Sequence, residues 1–173
     1  MRWTAFPLHP ETPEQGTALE ELFSGRSAAD IESMMQRLKH AANEVGLPLG
    51  ERKYTYNSRL AQELVKWAES RGKGDQFHKA VFRAYYADGK NIGKAGVLVD
   101  LATAIGLPED EARSVLESRA CKEAVDSDWA RVRALKITAV PTFLIKEQRI
   151  VGAHPYETLE QFVKNQGLLR KFD

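Results

Sequence analysis

The sequence predicts an α/β chain in which a long all-helical stretch interrupts a smaller strand-bearing part. Three observations carry this. From Ile31 to Leu135 apolar residues recur at steps of three and four, in segments closed by Gly or Pro. Two short β-rich runs, Thr142–Ile145 and Arg149–Val151, follow with polar residues between them. The chain then returns to helical spacing over Tyr156–Asn165.

The opening Arg2–Phe6, with Trp3, Thr4 and Phe6, suits a strand, and Pro7 and Pro10 bar its continuation. Pro10 to Gly25 reads as irregular connection with a short helix over Ala18–Phe23. Ser27 and Asp30 form an acidic version of the helix N-terminal box. The helix it opens sets Ile31, Met34, Met35, Leu38, Ala42 and Val45 on one face, with both methionines expected in the core, and ends at Gly46 and Pro48. Ser58–Ser70 repeats the pattern through Leu60, Leu64, Trp67 and Ala68, and Asp75–Tyr86 does so through Phe77, Val81, Ala84 and Tyr85. A helix over Ala95–Ile105 closes at Gly106, and Pro108 with Glu109, Asp110 and Glu111 starts the next. Ala120–Leu135 is the last of the series, and the grammar changes after Lys136.

Composition excludes several classes of function. Lys+Arg number 25 against Asp+Glu 24, a formal net charge of +1, so no broad electropositive field exists for a phosphate backbone, and nucleic acid is not an expected partner. No apolar run approaches the roughly 20 residues that span a bilayer, and the first ten residues lack a basic segment leading into an apolar one. A cytoplasmic protein without a membrane partner is expected. One cysteine, Cys121, cannot make an internal disulfide. It shares an apolar face with Ala124, Val125 and Trp129 and reads as a small buried hydrophobe rather than a nucleophile. His9, His40, His78 and His154 show no metal-ligand spacing, and Gly72 and Gly74 lie between helices rather than in a strand-turn-helix, so neither metal nor cofactor is expected. Asn57 reads as an ordinary helix cap.

The segment Ile137-Thr138-Ala139-Val140-Pro141-Thr142-Phe143 resembles the G-V-x-x-V-P-T-F stretch of the DsbA-like thioredoxin-fold proteins. Trp3 to Pro10 is similar to the second strand and loop of the FrnE type, as are Phe82 to Tyr86 with Asn91-Ile92-Gly93, Asn57-Ser58, and Gly152-Ala153-His154-Pro155, where His154 replaces Gln. The resemblance implies a thioredoxin-like fold of the DsbA type, built from residues 1–10 and 137–173 around a helical insertion over 11–136. It implies a cis Val140-Pro141 bond beside the redox center, with the residue before the proline offering its backbone to a peptide or glutathione-like substrate in the manner of strand addition. Ala139, Val140, Pro141 and His154 are the expected substrate-binding residues.

The family carries a strand, a Cys-x-x-Cys loop and a helix ahead of the position where this sequence starts. The expectation is a thiol-disulfide oxidoreductase or isomerase relative that has no catalytic residue of its own. Two other readings stay open: a glutathione-dependent isomerase or transferase of the same fold, and a non-catalytic binding module. With the central strand missing, Arg2–Phe6 and Thr142–Ile145 are expected either to close up and pair, or to leave an edge that a second copy fills in a homodimer.

Overall fold

Helix α3 (Arg59–Ser70) is the element on which most of the molecule packs. The computed structural model describes residues 2–168. Ala61, Leu64, Val65, Trp67 and Ala68 are all buried, so α3 has a wide apolar face and needs neighbors on several sides. They are supplied by α4 (Gly74–Tyr86), α5 (Ala95–Ala104), α6 (Glu109–Glu117) and α7 (Lys122–Ala134). Phe77 and Val81 of α4, Leu98, Val99 and Ala102 of α5, and Ala112 and Leu116 of α6 complete one continuous core with α3. Gly46 and Gly106 stop their helices by adopting φ of +67° and +80°, which lets the next amide, of Leu47 or Leu107, reach back to Ala42 or Ala102.

Two buried carboxylates tie this body together. Glu63 on α3, with a side chain 1% exposed, accepts from Arg59 Nε at 2.6 Å and from Arg119 Nε and Nη2 at 2.7 Å. Arg59 continues to Asp126 on α7 and lies over the Trp129 ring. Asp128, 3% exposed, pairs with Lys66 of α3 at 2.7 Å and accepts the Ala5 amide at 2.9 Å.

That second contact explains why Arg2–Phe6 is not the expected strand. The segment runs extended, but its bonds go to side chains: Ala5 N–H to Asp128, the Trp3 carbonyl to Lys66 and the Phe6 carbonyl to Gln62. The Trp3 ring stacks on His78 with centroids 4.6 Å apart. Helical side chains bond its backbone, and no pairing with Thr142–Ile145 occurs among the described residues.

The strands observed are short. β1 (Thr17–Ala18) pairs antiparallel with β2 (Tyr54–Thr55), and the four-residue helix α1 (Leu19–Leu22) follows β1 directly. Helix α2 (Ala28–Glu44) begins at the expected box, in which Ser27 Oγ accepts the Asp30 amide and Asp30 accepts the Ser27 amide. It buries no residue, however, and Met34 and Met35 are half-exposed rather than core. Periodicity marks an apolar face without saying what covers it.

At the end of the chain, β3 (Thr142–Ile145) and β4 (Gln148–Val151) form a hairpin around Lys146-Glu147, and α8 (Tyr156–Asn165) follows. No residue from Arg133 to Leu168 is buried. Residues 169–173, which were expected to belong to this part, lie outside the described residues.

Two consequences are measurable. Phe77→Ala should cost about 3–5 kcal/mol in urea unfolding followed by helical signal, whereas Phe143→Ala, in the half-exposed hairpin, should cost well under half of that. Glu63 is pushed up by burial, but the hydrogen bonds and charges of Arg119 and Arg59 outweigh burial and hold it below its ordinary 4.5. Its contribution is therefore complete above that value and is lost as pH falls through the lower folded value. Glu63→Ala should cost about 3–5 kcal/mol at neutral pH, and its deficit against the parent should narrow as acid unfolding is followed below pH 4.5.

Candidate functional site

Three of the four expected substrate-binding residues form the turn that enters β3. Ala139, Val140 and Pro141 leave the irregular stretch after α7, and the Val140-Pro141 peptide bond is cis. The Ala139 carbonyl accepts from Thr142 Oγ1 at 2.6 Å, and the Pro141 carbonyl accepts from the Gly152 amide at 2.8 Å. Val140 is 46% exposed, and neither its amide nor its carbonyl meets a partner among the described residues. This leaves one donor and one acceptor on a turn fixed at both ends, which is what an extended ligand needs for main-chain pairing.

His154 does not join them. Gly152 brings the 152–154 loop next to Pro141, but the His154 ring turns back, and its Nε2 donates to the Val151 carbonyl at 2.9 Å. It terminates β4 rather than lining the turn. Arg149 has a larger part than its sequence context suggests. Its guanidinium donates to the Leu135 and Lys136 carbonyls at 3.0 and 3.3 Å, fastening the hairpin to the C-terminal end of α7, where the helix dipole favors a cation. A cavity of about 80 Å³ lies between them, lined by Lys136 to Ala139, Thr142, Arg149 and Val151. Small-molecule sites usually have several hundred Å³, so this one suits a few waters, and the accessible chemistry is that of the exposed backbone.

Cys121 is elsewhere. It sits at the N-terminal cap of α7, half-buried against the helical core. Burial first, then the negative charge of Glu63, raises its thiol above the ordinary 9.0, against a smaller opposing effect of Lys66. A helix N-terminus would normally favor thiolate, and here desolvation and Glu63 prevail. Among the described residues no group of three His, Cys, Asp or Glu could hold a metal ion, and no helix is long and apolar enough to cross a membrane. His78 is half-buried between Trp3 and Phe82, and burial lowers its pKa below 6.5 despite Glu69 and Asp75 nearby. It packs as a neutral ring. Asn57 does more than cap: its Oδ1 accepts the Arg59 amide, and its Nδ2 donates to the Pro10 and Thr12 carbonyls, pinning the N-terminal loop to the start of α3.

Residues 1–164 match the DSBA-like thioredoxin domain family, and the chain belongs to it. An uncharacterized protein of Bacillus subtilis (strain 168), YwbO, is 27% identical over 175 residues, covering 96% of this chain and 82% of its own length. Among solved structures, a probable DsbA oxidoreductase from Streptomyces coelicolor superposes with a TM-score of 0.86 at 23% identity, over 96% of this chain and 75% of that one. A 2-hydroxychromene-2-carboxylate isomerase gives 0.68 at 18% identity, over 88% and 70%. At these identities the two structures establish the fold, a DsbA-like thioredoxin fold dominated by helix.

Cys121 should react slowly with a thiol-specific reagent at neutral pH and at the usual rate once the chain is unfolded. The folded-state rate should rise only above about pH 9.

Proposed function

We propose that this chain binds the substrate for a thiol-disulfide oxidoreductase or isomerase of the FrnE type, holding an extended peptide or a glutathione-like disulfide at the Ala139-Val140-Pro141 turn. The observation that carries the reading is the unpartnered Val140 backbone on an exposed turn anchored through Thr142 and Gly152. Family membership supplies the chemical context. In thiol-disulfide exchange a thiolate attacks one sulfur of a disulfide, the other sulfur departs as thiolate, and a second thiol resolves the mixed disulfide. The turn would align the substrate's backbone for that attack.

Within the 173 residues only Cys121 carries a thiol, and it is kept protonated and away from the turn. With Cys121 its one thiol, the chain would bind such a substrate without completing a dithiol cycle. A single cysteine without a disulfide partner also suits a reducing, cytoplasmic setting.

Titration of the labelled protein with oxidized glutathione, and separately with a disulfide-containing peptide, should move the amide resonances of Ala139, Val140, Thr142 and Gly152 first. Insulin reduction should be absent. Shifts confined to other regions would refute the assigned site. Thiol-dependent turnover that survives Cys121→Ser would refute the division between binding and catalysis.

A further inference from the structure

We propose that Arg149 is a positioning residue for the Val140 turn: it clamps the segment from Leu135 to Ala139 onto one face of the hairpin and so sets how the Val140 backbone is presented. The proposal rests on the substrate reading above and adds to it the residue that fixes the turn's geometry.

Strand alternation puts Arg149 where it can do this. Thr142 faces Val151 and Leu144 faces Arg149 across the ladder, so these four side chains stand on the same face of the hairpin. The segment between α7 and β3 crosses that face and is bonded to it at both ends. At its start, Arg149 Nη1 donates to the Leu135 and Lys136 carbonyls at 3.0 and 3.3 Å, and at its far end Thr142 Oγ1 donates to the Ala139 carbonyl at 2.6 Å. Between these ends Ile137 and Thr138 line the cavity of about 80 Å³ that separates the segment from the hairpin face. Their path, and with it the direction in which Val140 emerges, is therefore set by the two clamps.

The first clamp also holds the backbone at its sharpest turn. Lys136 has φ of +52°, a left-handed conformation that a side chain disfavors, and the Ile137 amide reaches back to Val132 to end the helix. A residue other than glycine stays in that region only where its surroundings determine it. The two carbonyls that Arg149 bonds flank the Lys136 α-carbon, so one guanidinium nitrogen fixes the peptide planes on both sides of it. The positive charge also suits the C-terminal end of α7.

Oxidized glutathione and a disulfide peptide with blocked, uncharged ends are the probes. Arg149→Ala should weaken both by the same factor, about three- to tenfold, because a turn that visits several paths spends less time in the competent one. Arg149→Lys keeps a cation at the helix end and should recover part of the loss. In the ligand-free protein, Arg149→Ala should shift or broaden the amides of Ile137, Thr138 and Val140 while those of Phe143 and Ile150 stay in place. A loss confined to glutathione would make Arg149 a direct contact for the ligand's carboxylates and overturn the proposal. Unchanged affinity for both probes, or unmoved amides from Ile137 to Val140, overturns it as well. So does disturbance of Phe143 and Ile150, which would show that Arg149 holds the hairpin as a whole. If the parent binds neither probe, the substrate reading fails separately, and the amide comparison still decides whether Arg149 sets the turn.

Discussion

Burying a carboxylate is costly unless it is answered, and two among the described residues are buried, Glu63 and Asp128, within the seam between α3 and α7. Much of the architecture can be understood as the answer. Arg59 and Arg119 converge on Glu63 from within α3 and from the α6–α7 connection, which fixes the start of α7 against α3. Lys66 and the Ala5 amide converge on Asp128, which draws the first residues of the chain across the same seam. An apolar face could have joined these helices with looser geometry. Buried carboxylates that must be paired permit few alternatives, and they fix α7 against α3, while at α7's end Arg149 secures the hairpin.

The consequence is an uneven distribution of stability. Buried apolar side chains are concentrated between Ala61 and Val132; Arg149 joins the β3–β4–α8 part to the end of α7, and the Gly152–Pro141 bond and Lys146 to Gln166 hold that part together internally. Such a part can open without disturbing the helical core, since few buried contacts cross between them. Substrate-binding turns belong naturally in such regions, where the backbone is accessible and the scaffold beneath is rigid.

The helices were legible because three- and four-residue spacing, glycine stops and acidic starts all agreed, and α8 lies on the expected residues, Tyr156–Asn165. The hairpin was legible for the same reason of local agreement. What failed was anything decided by a distant partner. Trp3, Thr4 and Phe6 look like strand residues, and nothing nearby discloses that Asp128 and Lys66, more than sixty positions away, will satisfy their backbone. β1 and β2 are two residues each, too short for alternation to register. The stripe through Met34 and Met35 reports amphipathicity, while burial depends on how closely neighbors cover it, and α2 buries no residue. At the site, the Val140-Pro141 turn was found through family resemblance. His154 was drawn in by the same comparison, but a local bond to Val151 takes its ring away.

The helical seam and the hairpin solve the same problem by different means. Every backbone group withdrawn from water needs a partner. Along Arg2–Phe6 the partners are long side chains from α3 and α7, which bond an extended chain without requiring a strand. Along Thr142–Ile145 no side chain among the described residues meets the outward amides and carbonyls of Thr142 and Leu144. β3 is bonded by the β4 backbone alone among the described residues. The side chains that satisfy the first segment make it a fixed strap, and the second is held in register by the alternation of inward Phe143 and Ile145 with outward Thr142 and Leu144.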